Sequence, residues 1–358
     1  MEELEMNADF WRNKSVFVTG HTGFKGSWLC LWLNALGAKV HGYALPSPTT
    51  PSLFDSARVS QVLTSNVIAD VRNAQPLLDA MQAARPDIVF HLAAQSLVRY
   101  SYANPAETYD VNVMGTVNLL QAVRATSSVR AIVNVTTDKC YENREWSWGY
   151  RENDSLGGRD PYSNSKACAE LVTSAFRNSY LHQGSIGLAS ARAGNVIGGG
   201  DWSVDRLLPD FLRALDAGQP IHIRSPHAVR PWQHVLEPLS GYLLLAEKIF
   251  LAPASYDEAW NFGPRNEDVQ SVRWIVERLA ATMSQMKWSC DESQQLHEAG
   301  LLKLDSSKAQ DRLGWTPRWN LAKALDETLR WHTAWRAGHD MQALTSEQID
   351  TYASSGRP

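Results

Sequence analysis

Ser15-Val16-Phe17-Val18-Thr19-Gly20-His21-Thr22-Gly23-Phe24-Lys25-Gly26-Ser27-Trp28 is the stretch whose reading decides the fold. Residues 15–19 are rich in β-favouring side chains and predict a strand. Gly20 and Gly23 permit a tight turn with close backbone approach, and Gly26 lets a helix lie against a sheet. Residues 28–36 predict that helix, with Gly37 as its stop. A strand, a glycine turn and a helix in this order point helix N–H groups at an anion, as a dinucleotide pyrophosphate requires.

Working outward, residues 39–44, 66–68, 88–92, 131–135 and 186–191 also predict strands. Helical patterns at 74–84, 107–125 and 161–180 separate most of them. Such alternation predicts an α/β fold, a Rossmann-like doubly wound parallel sheet with helices on both faces. Functional groups then belong at the C-terminal ends of the strands. Ala69-Asp70-Val71 follows the third strand, where an aspartate can accept from an adenine amino group. His91-Leu92-Ala93-Ala94-Gln95 follows the fourth, where small residues let a cofactor lie close. Cofactor contacts are therefore expected from Gly20, Thr22, Gly23, Phe24, Gly26, Asp70, Val71, Leu92, Ala93 and Ala94. The second strand runs into Tyr43-Ala44-Leu45-Pro46-Ser47, with neither the acid that binds an NAD ribose nor an arginine, so these residues leave NAD versus NADP open.

The later half is less regular. Residues 194–201 are glycine-rich, helices are expected at 207–216, 235–250, 271–283 and 321–335, and a short strand at 220–224. The expected division is a dinucleotide-binding domain at 11–192, to which segments near 221–262 return. A smaller, mostly helical and discontinuous substrate-binding cap covers mainly 193–340.

Composition narrows the function. The chain has 358 residues and a formal net charge of −4, so nothing global invites nucleic acid or an anionic membrane. No apolar run reaches membrane length, and the start, MEELEMNADF, is acidic rather than a signal peptide. Cys30, Cys140, Cys168 and Cys290 are widely spaced and form no C-x-x-C pair, which predicts reduced thiols, no structural metal and a cytoplasmic location. Fourteen tryptophans are many for this length; Trp146, Trp148, Trp202 and Trp232 fall in expected loops, where they line a pocket or pack segments together.

Two motifs carry chemistry. Tyr162-Ser163-Asn164-Ser165-Lys166 puts a phenol and an amine on one helix face. A cation there favours the tyrosinate, a base able to take a hydroxyl proton while a nicotinamide takes the hydride. Thr137-Asp138-Lys139 ends the fifth strand and adds an acid and an amine. Simple alcohol oxidation needs neither, whereas a reaction that also expels a leaving group does. No His cluster has metal spacing and no Ser-His-Asp order argues hydrolysis.

TGxxGxxG, HLAAQS, the Thr-Asp pair and YxxxK, in this order, resemble the extended short-chain dehydrogenases/reductases that act on nucleotide sugars. The finer strings GHTGFKGSW (20–28), DKCY (138–141), NREW (143–146), RAGNVIGGGDW (192–202) and RPWQH (230–234) look like the CDP-glucose 4,6-dehydratase family. The resemblance spans about residues 11–335. It implies tightly held NAD, CDP-glucose as substrate, a homodimer or homotetramer, and a place at the entrance to dideoxysugar synthesis for surface polysaccharide. Carried onto this sequence, it implies Tyr162 as base at the sugar 4-hydroxyl, Lys166 on the nicotinamide ribose and Thr137 on the 4-oxygen. Asp138 becomes the acid at the 6-oxygen. Related dTDP-glucose dehydratases have a glutamate as C5 base where Lys139 stands here. Lys139 is then either that base in its neutral form or a cation stabilising the enolate. Gln95, Ser96, Asn195, Arg206 and Arg230 are the expected substrate contacts, Arg230 being the leading diphosphate ligand and Arg206 and Arg192 weaker ones. A 4-epimerase would need no acid–amine pair, and a silent dinucleotide sensor would not need Tyr162 and Lys166.

Overall fold

The structure is a computed structural model that describes residues 7–181, 186–283, 287–290 and 300–355. β1 (Ser15–Thr19) is buried from Val16 onward, as a strand covered on both faces must be. It is joined by β2 (Lys39–Ala44), β3 (Ser65–Ile68), β4 (Ile88–His91), β5 (Ala131–Val135), β6 (Gly187–Ala193) and β7 (Ala259–Phe262). These form one seven-stranded sheet in the order β7-β6-β5-β4-β1-β2-β3, with every neighbouring pair parallel. Thr19 lies opposite Tyr43 on one side and His91 on the other. The chain order reverses between β1 and β4, which opens a crevice at their C-terminal ends.

The longer helices are α1 (Phe24–Ala35), α2 (Ala74–Ala84), α3 (Gly115–Arg124), α4 (Pro161–Phe176), α5 (Leu207–Ala217), α6 (Leu236–Leu251), α7 (Val272–Thr282), α8 (Leu321–Arg336) and α9 (Met341–Ser354). One face of the sheet is packed by Trp28, Trp32, Leu239, Tyr242 and Trp260. The other is packed by Leu77, Met81, Leu119 and Val123 from α2 and α3. A separate core of Phe211, Ile221, Trp232, Ile275 and Leu325 holds the cap together. Two short strand pairs serve this part: Ile221–Ile223 runs parallel to Trp288–Cys290, and Val229–Pro231 antiparallel to Val269–Ser271.

Several boundaries differ from the sequence reading for local reasons. α1 starts at Phe24, four residues before the expected 28, because Gly23 is the extended N-cap and Gly26 is already helical. The pattern at 107–125 is a helix at Pro105–Tyr109, a π turn at Asp110–Met114 and then α3. The one at 161–180 is α4 followed by a π turn at Arg177–Leu181. α9 was not expected. It returns to α1, where the Tyr352 ring meets Trp32 edge-on at 5.7 Å and Trp319 at 5.2 Å. Buried Glu237 of α6 ties this tail down, accepting from Tyr352 Oη at 2.7 Å and from the Trp319 and Arg318 backbone N–H groups at 2.6 and 3.0 Å.

Candidate active site

At the crevice, Gly20 has φ +76°, and a Cβ there would meet Ala93 N at 2.7 Å, so only glycine allows the β1 turn to lie this close to β4. A Cβ on Gly26 would meet Gly20 O at 2.2 Å. Gly23 caps α1 without a side-chain hydrogen bond, which leaves the first-turn N–H groups open to an anion. His21 is turned the other way. Its ring is buried against Gly42, with Nε2 2.7 Å from Asn66 Oδ1, and burial lowers its pKa.

A single cavity of about 1010 Å³ runs from this turn across the strand ends into the cap. It is lined by Gly20, Thr22, Gly23, Phe24, Gly26, Asp70, Val71, Leu92, Ala93 and Ala94, and by Gln95, Ser96, Thr137, Asp138, Lys139, Tyr162, Lys166, Asn195, Arg206 and Arg230. The structure thus brings these expected residues to one cavity, Arg192 excepted. Their chemistry differs in places from the expectation.

Asp70 is held by Arg72: Oδ1 accepts the Arg72 backbone N–H at 2.9 Å and Oδ2 accepts Nε and Nη2 at 2.8 and 2.6 Å. That grip lowers its pKa and leaves a lone pair on Oδ1 for an amino group. Beyond β2, Leu45, Pro46 and Pro48 line the cavity, with no carboxylate among them. The Thr22 hydroxyl fixes this edge by donating to Leu45 O at 2.8 Å. The glycine cradle, open helix terminus and Asp70 fit a dinucleotide, with Lys166 at its far end.

Burial opposes the expected tyrosinate at Tyr162. Burial pushes its phenol up to about 12, with Thr137 and the Arg206 charge pulling the other way. Lys166, also buried, falls to about 8, and its Nζ lies 3.4 Å from Val135 O. Desolvation pushes both groups toward their neutral forms: Tyr162 keeps its proton near neutral pH, while Lys166, at about 8, still carries its charge there. Arg206 is the cation that acts on Tyr162. It is anchored by Asp201 Oδ2 and Ser96 Oγ, each at 2.9 Å.

Asp138 is 1% exposed. Thr137 Oγ1 donates to its Oδ1 at 3.0 Å, while Oδ2 has no protein partner. Burial raises the Asp138 pKa against the opposing pull of Lys139, Thr137, Arg230 and Lys25. A carboxyl that leans toward its protonated form suits a proton donor. Arg230 is buried, donating to Val229 O and Gly300 O at 3.0 and 3.3 Å, and its charge reaches Asp138. Both Gln95 amide hydrogens are used inside their own loop, on Leu97 O and Thr108 Oγ1. The Asn195 carbonyl accepts from Gln233 N at 3.0 Å.

Two features escaped the sequence reading. Lys25 lines the cavity with Nζ 3.4 Å from Tyr242 Oη, and burial with the charges of Arg206 and Lys166 brings it down to about 7. Only backbone roles were read in its glycine turn. Arg192 does not face the cavity. It is paired with Glu170 at 2.8 Å beneath the site, the two side chains 4% and 3% exposed. Glu170 also accepts from Thr136 Oγ1 at 2.5 Å and Ser190 Oγ at 2.7 Å. The i,i+4 spacing of Lys166 and Glu170 on α4 was the available signal.

Fold and site together are those of an extended short-chain dehydrogenase/reductase. The chain belongs to the GDP-mannose 4,6-dehydratase family, which it matches over residues 17–328. It is 52% identical over 356 residues to a CDP-glucose 4,6-dehydratase of Salmonella typhimurium, covering 98% of this chain and 99% of that protein. A dTDP-glucose 4,6-dehydratase of Xanthomonas campestris is 26% identical over 339 residues, covering 88% of this chain and 92% of the relative. Among solved structures, the dTDP-glucose 4,6-dehydratase DesIV of Streptomyces venezuelae with NAD bound superposes with a TM-score of 0.74 at 26% identity, covering 91% of this chain and 99% of that one. The epimerase Mth375 of Methanothermobacter thermautotrophicus has a TM-score of 0.79 at 23% identity, covering 93% and 96%, and shares the fold. Among the described residues no helix is long and apolar enough to cross a membrane, and no group of three His, Cys, Asp or Glu residues is placed to hold a metal ion.

Proposed function

We propose that this chain is an NAD-dependent hydro-lyase that converts CDP-glucose to CDP-4-keto-6-deoxyglucose and water. The observation that carries the elimination is Asp138: a buried carboxyl with raised pKa and an open Oδ2, in the same cavity as Tyr162. An epimerase releases nothing and has no use for such an acid. The Salmonella relative, at 52% identity over nearly the whole chain, supports CDP-glucose as the substrate.

NAD would supply the hydride chemistry, an acceptor at the sugar C4 and a donor at C6. The α1 N-terminus and the glycine turn would hold its pyrophosphate, Asp70 its adenine, and Tyr162 and Lys166 its nicotinamide ribose. Tyr162 takes the 4-hydroxyl proton; Arg206 offsets the burial that opposes its ionisation. Thr137 donates to the developing 4-oxygen. The resulting ketone acidifies C5–H, and Lys139 in its neutral form takes that proton. Asp138 protonates the 6-hydroxyl, which leaves as water. The proton gained by Tyr162 balances the one lost by Asp138, and Lys139, whose N–H protons exchange with solvent, returns a solvent-derived proton to C5. Arg206, Arg230 and Asn195 hold the diphosphate, with Ser96 beside them. Gln95 shapes the loop at the sugar.

The division at 11–192 and 193–340 then separates cofactor from substrate recognition. The chain works as a homodimer or homotetramer: Leu171 of α4 is 59% exposed, and Met114 and Tyr180, in the π turns before α3 and after α4, are 46% and 54% exposed, apolar surface that a second copy would cover. Unpaired thiols fit the cytoplasm.

The test is turnover of CDP-glucose, dTDP-glucose, UDP-glucose and GDP-mannose, each followed by product mass. CDP-glucose alone is expected to lose one water, and Tyr162→Phe to slow that loss by about 10²- to 10⁴-fold. Unchanged turnover by Tyr162→Phe overturns the mechanism.

A further inference from the structure

Past Arg206 and Arg230 the cavity continues into the cap, between α5, the strand Ile221–Ile223 and Val272. Leu208, Ile221, Ile223 and Trp232 make its walls apolar, and all four belong to the buried cap core. The reacting groups are near these arginines, Tyr162 feeling the Arg206 charge and Asp138 that of Arg230. A nucleotide sugar whose diphosphate rests on the arginines therefore puts its base in this slot, an inference that rests on the substrate class proposed above. An apolar slot accepts any flat ring; hydrogen-bonding groups on its wall decide which one.

Two carboxylates line this end of the cavity. Asp205 has its charge shared by two guanidiniums, its Oδ1 accepting from Arg99 Nη1 at 3.3 Å and Arg224 Nη1 at 2.9 Å. Asp210, in the first turn of α5, is paired with the single guanidinium of Arg213. Its Oδ1 accepts from Arg213 Nη2, and its Oδ2 makes no hydrogen bond to any described residue. Arg213 is itself fixed, donating to Trp202 O at 2.7 Å. The pair thus holds one acceptor oxygen in place on the wall. Of the other polar neighbours, Arg224 gives Nη1 to Asp205 and can offer a base only donors, and His222 Nδ1 is engaged with Ser289 Oγ at 2.8 Å.

We infer that Asp210 is the specificity residue for the base, accepting from the exocyclic amine of cytosine. Uracil and thymine present a carbonyl oxygen at the same edge. That leaves the carboxylate unpaired against a like partial charge, a mismatch that polar sites reject strongly.

The test is calorimetric binding of CDP, UDP and dTDP to the full chain with NAD, for wild type, Asp210→Asn and Asp210→Ala. Wild type is expected to bind CDP at least about tenfold more tightly than UDP, the worth of one charge-assisted hydrogen bond. Asp210→Asn keeps the shape and the Arg213 contact, and its amide both donates and accepts. It is expected to cut the CDP-over-UDP ratio by about tenfold, with UDP binding gained as well as CDP binding lost. Asp210→Ala should lose CDP affinity without gaining UDP. A wild-type preference for CDP that survives in both variants overturns this inference alone. A wild-type chain with no preference for CDP overturns the CDP-glucose reading and this inference with it. NAD affinity and melting temperature of each variant report whether it is folded.

Discussion

Asp138 and Tyr162 are both pushed toward their protonated forms by burial, yet the proposed chemistry asks opposite things of them. For Asp138 the shift is the function: the acid must hold its proton until C–O cleavage. Tyr162 must lose its proton, and the structure supplies Arg206 against the burial. Asp138→Asn is therefore expected to slow water loss by about 10²- to 10⁴-fold while leaving C4 oxidation possible. Mass analysis should then find a 4-keto sugar that retains its 6-hydroxyl; unchanged dehydration would remove Asp138 from the acid role. Tyr162, Lys166 and the Thr-Asp-Lys run were legible because spacing and strand position fix them. The Arg206–Tyr162 interaction was not, since the two are brought together by the cap, and no local pattern links them. Spacing reports the proximity of Tyr162 and Lys166 and says nothing of the desolvation that opposes the tyrosinate.

At the scale of elements, β5, β6 and α4 meet at the Glu170–Arg192 pair. Glu170 joins α4 to Thr136 at the end of β5 and to Ser190 of β6, so it positions the turn that presents Thr137 and Asp138. Its charge also supports the protonated form of Lys166 one helical turn away. Glu170→Gln leaves Arg192 as an uncompensated buried charge, expected to cost about 3–5 kcal/mol of stability, read by denaturant melts. It should also lower the Lys166 pKa below about 8, so activity is expected to drop more at pH 8 than at pH 6.5. An equal drop at both would assign Glu170 a packing role only. The alternation of strands and helices in the first half was legible because buried parallel strands are continuous apolar runs. Helix ends were less so: the π turns at Asp110–Met114 and Arg177–Leu181 carry ordinary helical sequence.

Across the whole molecule, the least legible feature is the return of α9 to α1 through Glu237. It depends on partners more than eighty residues apart in sequence. Burial raises the Glu237 pKa from 4.5 to about 7. Below pH 4.5 the carboxyl is protonated whether the chain is folded or not. Between 4.5 and about 7 the unfolded chain ionises first, so stability falls as pH rises and then levels off, by up to about 3 kcal/mol. Melting temperatures measured from pH 5 to pH 8 should show this decline in wild type and lack it in Glu237→Gln; parallel curves would contradict the assignment. The exposed apolar surface at Met114, Leu171 and Tyr180 predicts that Leu171→Glu reduces a dimer to monomer in light scattering. A wild-type chain that is already monomeric would refute the proposed assembly.

The measurement that tests the central claim most directly is the mass and deuterium content of the product formed from CDP-glucose in deuterated water. Elimination through Asp138 and Lys139 predicts a product lighter by one water and carrying one solvent deuterium at C5. A product of unchanged composition, or a dehydrated one without deuterium at C5, would contradict it.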